Sequence, residues 1–205
     1  LLAVLHGGSW EDPRLAEQIG DQRFFEDLRL DPYYGHVARQ FPELRGELEE
    51  LAEMARRPIS LVHGDMSPKN LLVDGHQLLL IDFEVGHFGD PAFDLGFFQT
   101  HLLLKTLHAG RQAAAYWELL GRFQQGYQQQ LSVTRPGLPL DELWKRSLLH
   151  LGGCLLARVD GKSPVDYLDA GLQESVRRIG RDLLCHRIDS WDTVGHQVLS
   201  LAPGS

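Results

Sequence analysis

Asp65, Asn70 and Asp82 are the residues whose types and spacing could do chemistry together. Asp65 and Asn70 sit in His63-Gly64-Asp65-Met66-Ser67-Pro68-Lys69-Asn70, directly after the apolar stretch Leu61-Val62. Asp82 opens Asp82-Phe83-Glu84 after a further apolar run. A carboxylate in a loop at a strand end can accept or orient the proton of an attacking hydroxyl. An amide oxygen and a second carboxylate suit a hard divalent cation that bridges nucleotide phosphates. Taken singly, an Asp after His-Gly can simply close a turn. The joint pattern, H-x-D-x-x-x-x-N followed by D-F-E after one hairpin, is far harder to reach by chance.

The elements that must position these residues are legible in outline. Leu71-Leu72-Val73 and Leu78-Leu79-Leu80-Ile81 bracket Asp74-Gly75 and read as an antiparallel hairpin with a four-residue connection from Asp74 to Gln77. Such a hairpin returns Asp82 beside Asp65 and Asn70. Upstream, Leu1 to His6 reads as the end of a helix closed by Gly7-Gly8, and Asp12-Pro13 caps a short helix running through Ile19. Residues 21–42 are rich in aromatics, with Asp31-Pro32 expected to interrupt their helical spacing. Leu44, Leu48, Leu51 and Ala55 form one face of a helix from Glu43 to about Arg56, ended by Pro58. Downstream, Asp94 is expected to cap a helix stopped by Gly110. Further helices are expected over Gln112 to Gln130, over Leu140 to Arg158 in the centre of the molecule, and from the capping box Ser163-Pro164-Val165-Asp166. The sum is an α+β, mainly α lobe with a small β-hairpin at one edge.

Composition limits what the chain can do. Of 205 residues 43% are hydrophobic and 23% charged, enough for one sizeable core. A formal charge of −8 without a Lys/Arg run disfavours nucleic acid and anionic membranes as partners and is compatible with a cationic substrate. Two isolated cysteines, no membrane-length apolar run and no signal sequence give the expectation of a reduced, cytoplasmic chain. Composition does not determine an oligomeric state.

The loop His63 to Asn70, with Asp82-Phe83-Glu84, resembles the catalytic and metal-binding loops of the aminoglycoside phosphotransferase and choline kinase superfamily, small-molecule relatives of the protein kinases. Gly64 stands where protein kinases carry Arg, and Glu84 where they carry the last Gly of D-F-G. The resemblance implies a protein-kinase-like fold, ATP and Mg²⁺ as cofactors, and transfer of the γ-phosphoryl group to a small-molecule hydroxyl. It implies Asp65 as catalytic base, Asn70 and Asp82 as Mg²⁺ ligands, and Ser67 and Lys69 beside the bound cofactor. His63 and Glu84 would support the site, and Asp94 of Gly89-Asp90-Pro91-Ala92-Phe93-Asp94-Leu95 is similar to a buried Asp that accepts backbone N–H bonds from the catalytic loop. Aminoglycosides, choline and methylthioribose are among the acceptors it suggests. Leu28-Arg29-Leu30-Asp31-Pro32-Tyr33-Tyr34 is similar to a segment of the methylthioribose kinases, whose metal loop, however, usually has Pro where Phe83 stands.

The resemblance covers only the C-terminal lobe of that fold. No strand before residue 58 carries a Lys, so residues 1–205 are expected to form a single catalytic-loop and substrate-binding lobe without the N-terminal nucleotide-binding β-lobe, inactive alone. A non-catalytic kinase-like binding module is the alternative. A metal-dependent phosphohydrolase using His63, Asp65 and Asp82 is weaker, because no second His/Asp cluster follows at ligand spacing.

Overall fold

The architecture is that of a computed structural model, which describes residues 1–75 and 77–201. The chain is mainly helical with two small antiparallel sheets, as the apolar periodicities require. Helices α6 (Pro91–His108) and α8 (Leu140–Asp160) form the centre. On α6 every residue is buried except His101, Lys105 and His108, which recur at helical spacing as one accessible stripe. Helix α7 (Ala113–Thr134) covers α6 on one side, together with α1 (Leu2–Ser9). Helices α9 (Ala170–Leu184) and α10 (Trp191–Leu201) close the other, burying Val176, Ile179, Leu183, Val194 and Val198.

Before the site, α2 (Pro13–Gln18) begins where expected, with Asp12 Oδ1 accepting from the backbone N–H groups of Arg14 and Leu15. Two expectations fail nearby. Helix α1 continues through Gly7 and Gly8 to Ser9, because it packs against α7. Asp31-Pro32 also does not interrupt its segment. A ten-residue π-helix, Glu26–Gly35, runs from α3 (Arg23–Phe25) into α4 (His36–Gln40) with Pro32 inside it. Its wider turn, with the His36 N–H reaching the Asp31 carbonyl, relieves the clash a proline ring makes with the carbonyl four residues earlier. Phe25, Leu30, Tyr33 and Tyr34 are thereby turned into the core against α5 (Arg45–Ala55), α8 and Phe93.

Strand β1 (Ser60–Val62) pairs with β4 (His87–Gly89), a strand too short to show in the sequence pattern. Strands β2 (Leu71–Asp74) and β3 (Gln77–Leu80) form the hairpin, with Leu71 opposite Leu80 and Asp74 opposite Gln77. Pairing through Asp74 and Gln77 shortens the connection from four residues to positions 75 and 76; His76 lies outside the described residues. Leu72, Val73, Leu78 and Leu79 are all exposed on this ribbon.

Two further corrections concern helix starts. The cap of α6 is Asp90, whose Oδ1 accepts from the Ala92 N–H, and not Asp94. Helix α9 begins at Ala170 with Asp169 as its cap, so Ser163 to Asp166 is irregular chain and not a capping box. Residues 202–205 lie outside the described part of the chain.

Candidate active site

The loop between β1 and β2 is held from below by Asp94, in the first turn of α6. Its Oδ2 accepts the backbone N–H of His63 at 2.7 Å and its Oδ1 that of Gly64 at 2.9 Å. His6 of α1 contributes a third bond, Nε2 to Oδ2 at 3.2 Å, and its Nδ1 lies 2.8 Å from the Tyr127 hydroxyl of α7. Burial works against charge on Asp94, but the His6 hydrogen bond, the positive potential of His6 and His63, and the His63 N–H together hold its carboxyl below the usual carboxylate range.

Gly64 makes the turn that lifts Asp65 out of the strand. Its φ of 77° is left-handed, and a Cβ there would lie 2.7 Å from the Val85 carbonyl oxygen, so both backbone and space call for glycine. The His63 ring then locks the loop. Its Nδ1 accepts the Asp65 N–H at 3.2 Å, which leaves Nε2 to donate to the Ile81 carbonyl at 2.9 Å. Phe83 lies across the ring, with centroids 4.5 Å apart.

Asp65 and Asn70 are brought into contact. Pro68–Asn70 forms one 3₁₀ turn, and the Asn70 Nδ2 donates to the Asp65 carbonyl at 2.8 Å and to its Oδ2 at 3.1 Å. Both side chains are buried. With the amide hydrogens used on Asp65, the Asn70 Oδ1 has no protein partner among the described residues. The Asn70 carbonyl accepts the Ile81 N–H at 3.0 Å, so Ile81 is tied both to Asn70 and to His63. Asp82 follows directly in a left-handed conformation, φ 69°, exposed and without an ion-pair partner among the described residues. These oxygen donors fit a hard cation such as Mg²⁺. Among the described residues no three His, Cys, Asp or Glu side chains cluster as metal ligands, and a Mg²⁺ site needs no such set, since water and substrate phosphates complete its shell.

The remaining expected residues are spread around this centre. Lys69 is 68% exposed and reaches back to Asp65 Oδ2 at 3.0 Å. Ser67 is buried, its Oγ without a hydrogen-bond partner among the described residues. Glu84 is exposed beyond Phe83. Asp90 belongs to the helix cap and pairs with Arg146 at 2.7 Å.

Arg29 was not singled out in the sequence as a site residue. From the π-helix its Nη2 approaches Asp65 Oδ1 at 2.8 Å, and its Nε donates to the Gly64 carbonyl at 2.9 Å. The guanidinium also stands 5.7 Å from the centre of the Phe97 ring. Its only sequence signal was membership of the Leu28 to Tyr34 segment. Beyond Phe97, the His101 ring lies 5.2 Å away on the accessible stripe of α6. Burial, then the positive potential of Arg158, lowers the His101 pKa to about 4.

Comparison with known proteins places the chain in a family. A family described as "Phosphotransferase enzyme family" matches residues 1–130, more than half of the chain. A methylthioribose kinase of Geobacillus thermodenitrificans is 26% identical over 80% of this chain and 51% of its own length. One of Bacillus velezensis is 30% identical over 77% of this chain and 42% of its own length, and one of Yersinia enterocolitica 29% identical over 89% and 57%. The chain therefore spans about half the length of the curated relatives it matches.

Proposed function

Because the chain belongs to the phosphotransferase enzyme family, we propose that it is the acceptor-side lobe of an ATP-dependent kinase acting on a hydroxyl of a small sugar of the methylthioribose type. The observation that carries this reading is the Asp65–Asn70 contact on a loop pinned by Asp94. A buried carboxylate there stands beside an amide whose oxygen has no hydrogen-bond donor among the described residues.

In this reading Asp65 orients the acceptor hydroxyl and takes its proton. The bond from that oxygen to the γ-phosphorus forms as the bond to the bridging oxygen of ATP breaks, and ADP leaves with that electron pair. Asn70 Oδ1 and the Asp82 carboxylate would hold Mg²⁺, which supplies charge neutralisation on the phosphates. Lys69, the nearest mobile cation, would exchange Asp65 for a phosphate oxygen. The cations already placed on Asp65, Arg29 and Lys69, favour an uncharged acceptor over a cationic one.

The exposed apolar ribbon of Leu72, Val73, Leu78 and Leu79 supports a further part of the reading. Apolar surface of this extent on a two-stranded hairpin invites cover. We propose that a nucleotide-binding lobe in a longer protein supplies it, and that residues 1–205 alone turn over little or nothing. Among the described residues no helix is long and apolar enough to cross a membrane.

The test is phosphoryl transfer by the complete gene product with a panel of sugars, amino-sugars and amino-alcohols. Asp65→Ala should lower kcat by ~10²-fold or more while nucleotide binding persists, within the range general-base groups contribute. Turnover unchanged by Asp65→Ala would remove the assigned base.

A further inference from the structure

Both carboxylate oxygens of Asp65 are occupied, and by partners of very different mobility. Oδ2 receives the Asn70 amide and the Lys69 ammonium at 3.1 and 3.0 Å. Lys69 is mostly exposed on a flexible stem, so it can leave at little cost. Among the described residues Oδ1 receives only Arg29, at 2.8 Å, and that side chain is 13% exposed. Arg29 is fixed at three other points: Nε on the Gly64 carbonyl, Nη1 on the Leu28 carbonyl at 2.7 Å, and the guanidinium against Phe97. A planar fork held in this way does not swing aside as Lys69 can.

We propose that Arg29 is the positioning residue of the transfer step: it clamps Asp65 by Oδ1 and the Gly64 carbonyl together, so that Oδ2 is the oxygen presented to the acceptor hydroxyl. The inference rests on the kinase reading above and adds to it a residue that acts through Asp65. Lys69 is then a removable cover on the reacting oxygen, displaced when phosphate arrives. Arg29 reaches Asp65 from the same π-helix whose Leu30, Tyr33 and Tyr34 fill the core.

The experiment uses the complete gene product and an acceptor that the wild type phosphorylates. Arg29→Met should lower kcat by about 10- to 100-fold, the loss expected from a reacting group misplaced by about an ångström. The KM for ATP and the melting temperature should change little, and Arg29→Lys should recover part of kcat by restoring a cation at Oδ1. Asp65→Asn combined with Arg29→Met should be no slower than Asp65→Asn alone, since the arginine works only through that carboxylate. Wild-type kcat in Arg29→Met, or losses that multiply in the double variant, overturns the proposal. If Arg29→Met does not fold, Arg29→Lys decides: an intermediate kcat supports the clamp, and a wild-type value overturns it. A wild type that phosphorylates nothing in the panel defeats the kinase reading and this inference together. An active wild type indifferent to Arg29 defeats the inference alone.

Discussion

Asp94 shows how much of the site rests on one fully buried residue. Three donors converge on its carboxylate from two elements far apart in sequence, the His63 and Gly64 amides and His6 of α1. Its pKa is depressed in the folded chain, so its contribution is present above the ordinary carboxylate range and is lost as the pH falls through the folded value. Asp94→Asn keeps the shape but turns an amide donor toward backbone N–H groups. We expect a loss of ~3–5 kcal/mol at neutral pH, the cost of breaking a buried charged network from one side. Urea unfolding would measure it, and the gap to wild type should narrow on acidification. An unchanged midpoint at pH 7 would show that the loop is held by other means.

The crossing of α6 and α8 is the element on which the site depends. Gly96, one turn from Phe93 and beside Asp94 and Phe97, lets α8 come so near that a Cβ would sit 2.6 Å from the His150 Cβ and 2.8 Å from the Leu151 nitrogen. Those are backbone-anchored atoms and cannot move aside cheaply. Gly96→Ala is therefore expected to cost ~1–3 kcal/mol, with the two helices pushed apart. Thermal unfolding by circular dichroism would read this as a lowered midpoint, and a midpoint equal to wild type would mean that the crossing is looser than the geometry requires. The π-helix makes a second point at this scale. Proline and aromatic content marked residues 21–42 as irregular, while tertiary burial of Phe25, Leu30 and Tyr34 won over local propensity.

For the molecule as a whole, three desolvated histidines shape the response to acid, His87 and His150 buried and His101 partly so. Burial, the largest cause in each, lowers the pKa of His87, of His101 to about 4 and of His150 to about 3. Each folded value lies below the ordinary 6.5, so the unfolded chain binds protons first. Stability is thus full above pH 6.5 and falls as the pH drops toward 4, by up to ~1.4 kcal/mol per pH unit for His101 and for His150, with His87 acting in the same direction. Denaturant midpoints between pH 7.5 and 4.5 should fall continuously, and His150→Gln should flatten the profile. A stability that is constant or rises over that interval would contradict it.

The residue pattern alone carried the mainly helical α+β character, the strand leading into His63, the hairpin after Asn70 and the pairing of a loop Asp with a nearby Asn, because each of these is local in the chain. Apolar period, turn residues and short spacing suffice for such features. What only the tertiary structure decided was long-range: β4 beside β1, His6 beneath Asp94, and Arg29 on Asp65. Those partners are separated by tens of residues, and no periodicity records which turn of a helix will face which loop once the core has closed.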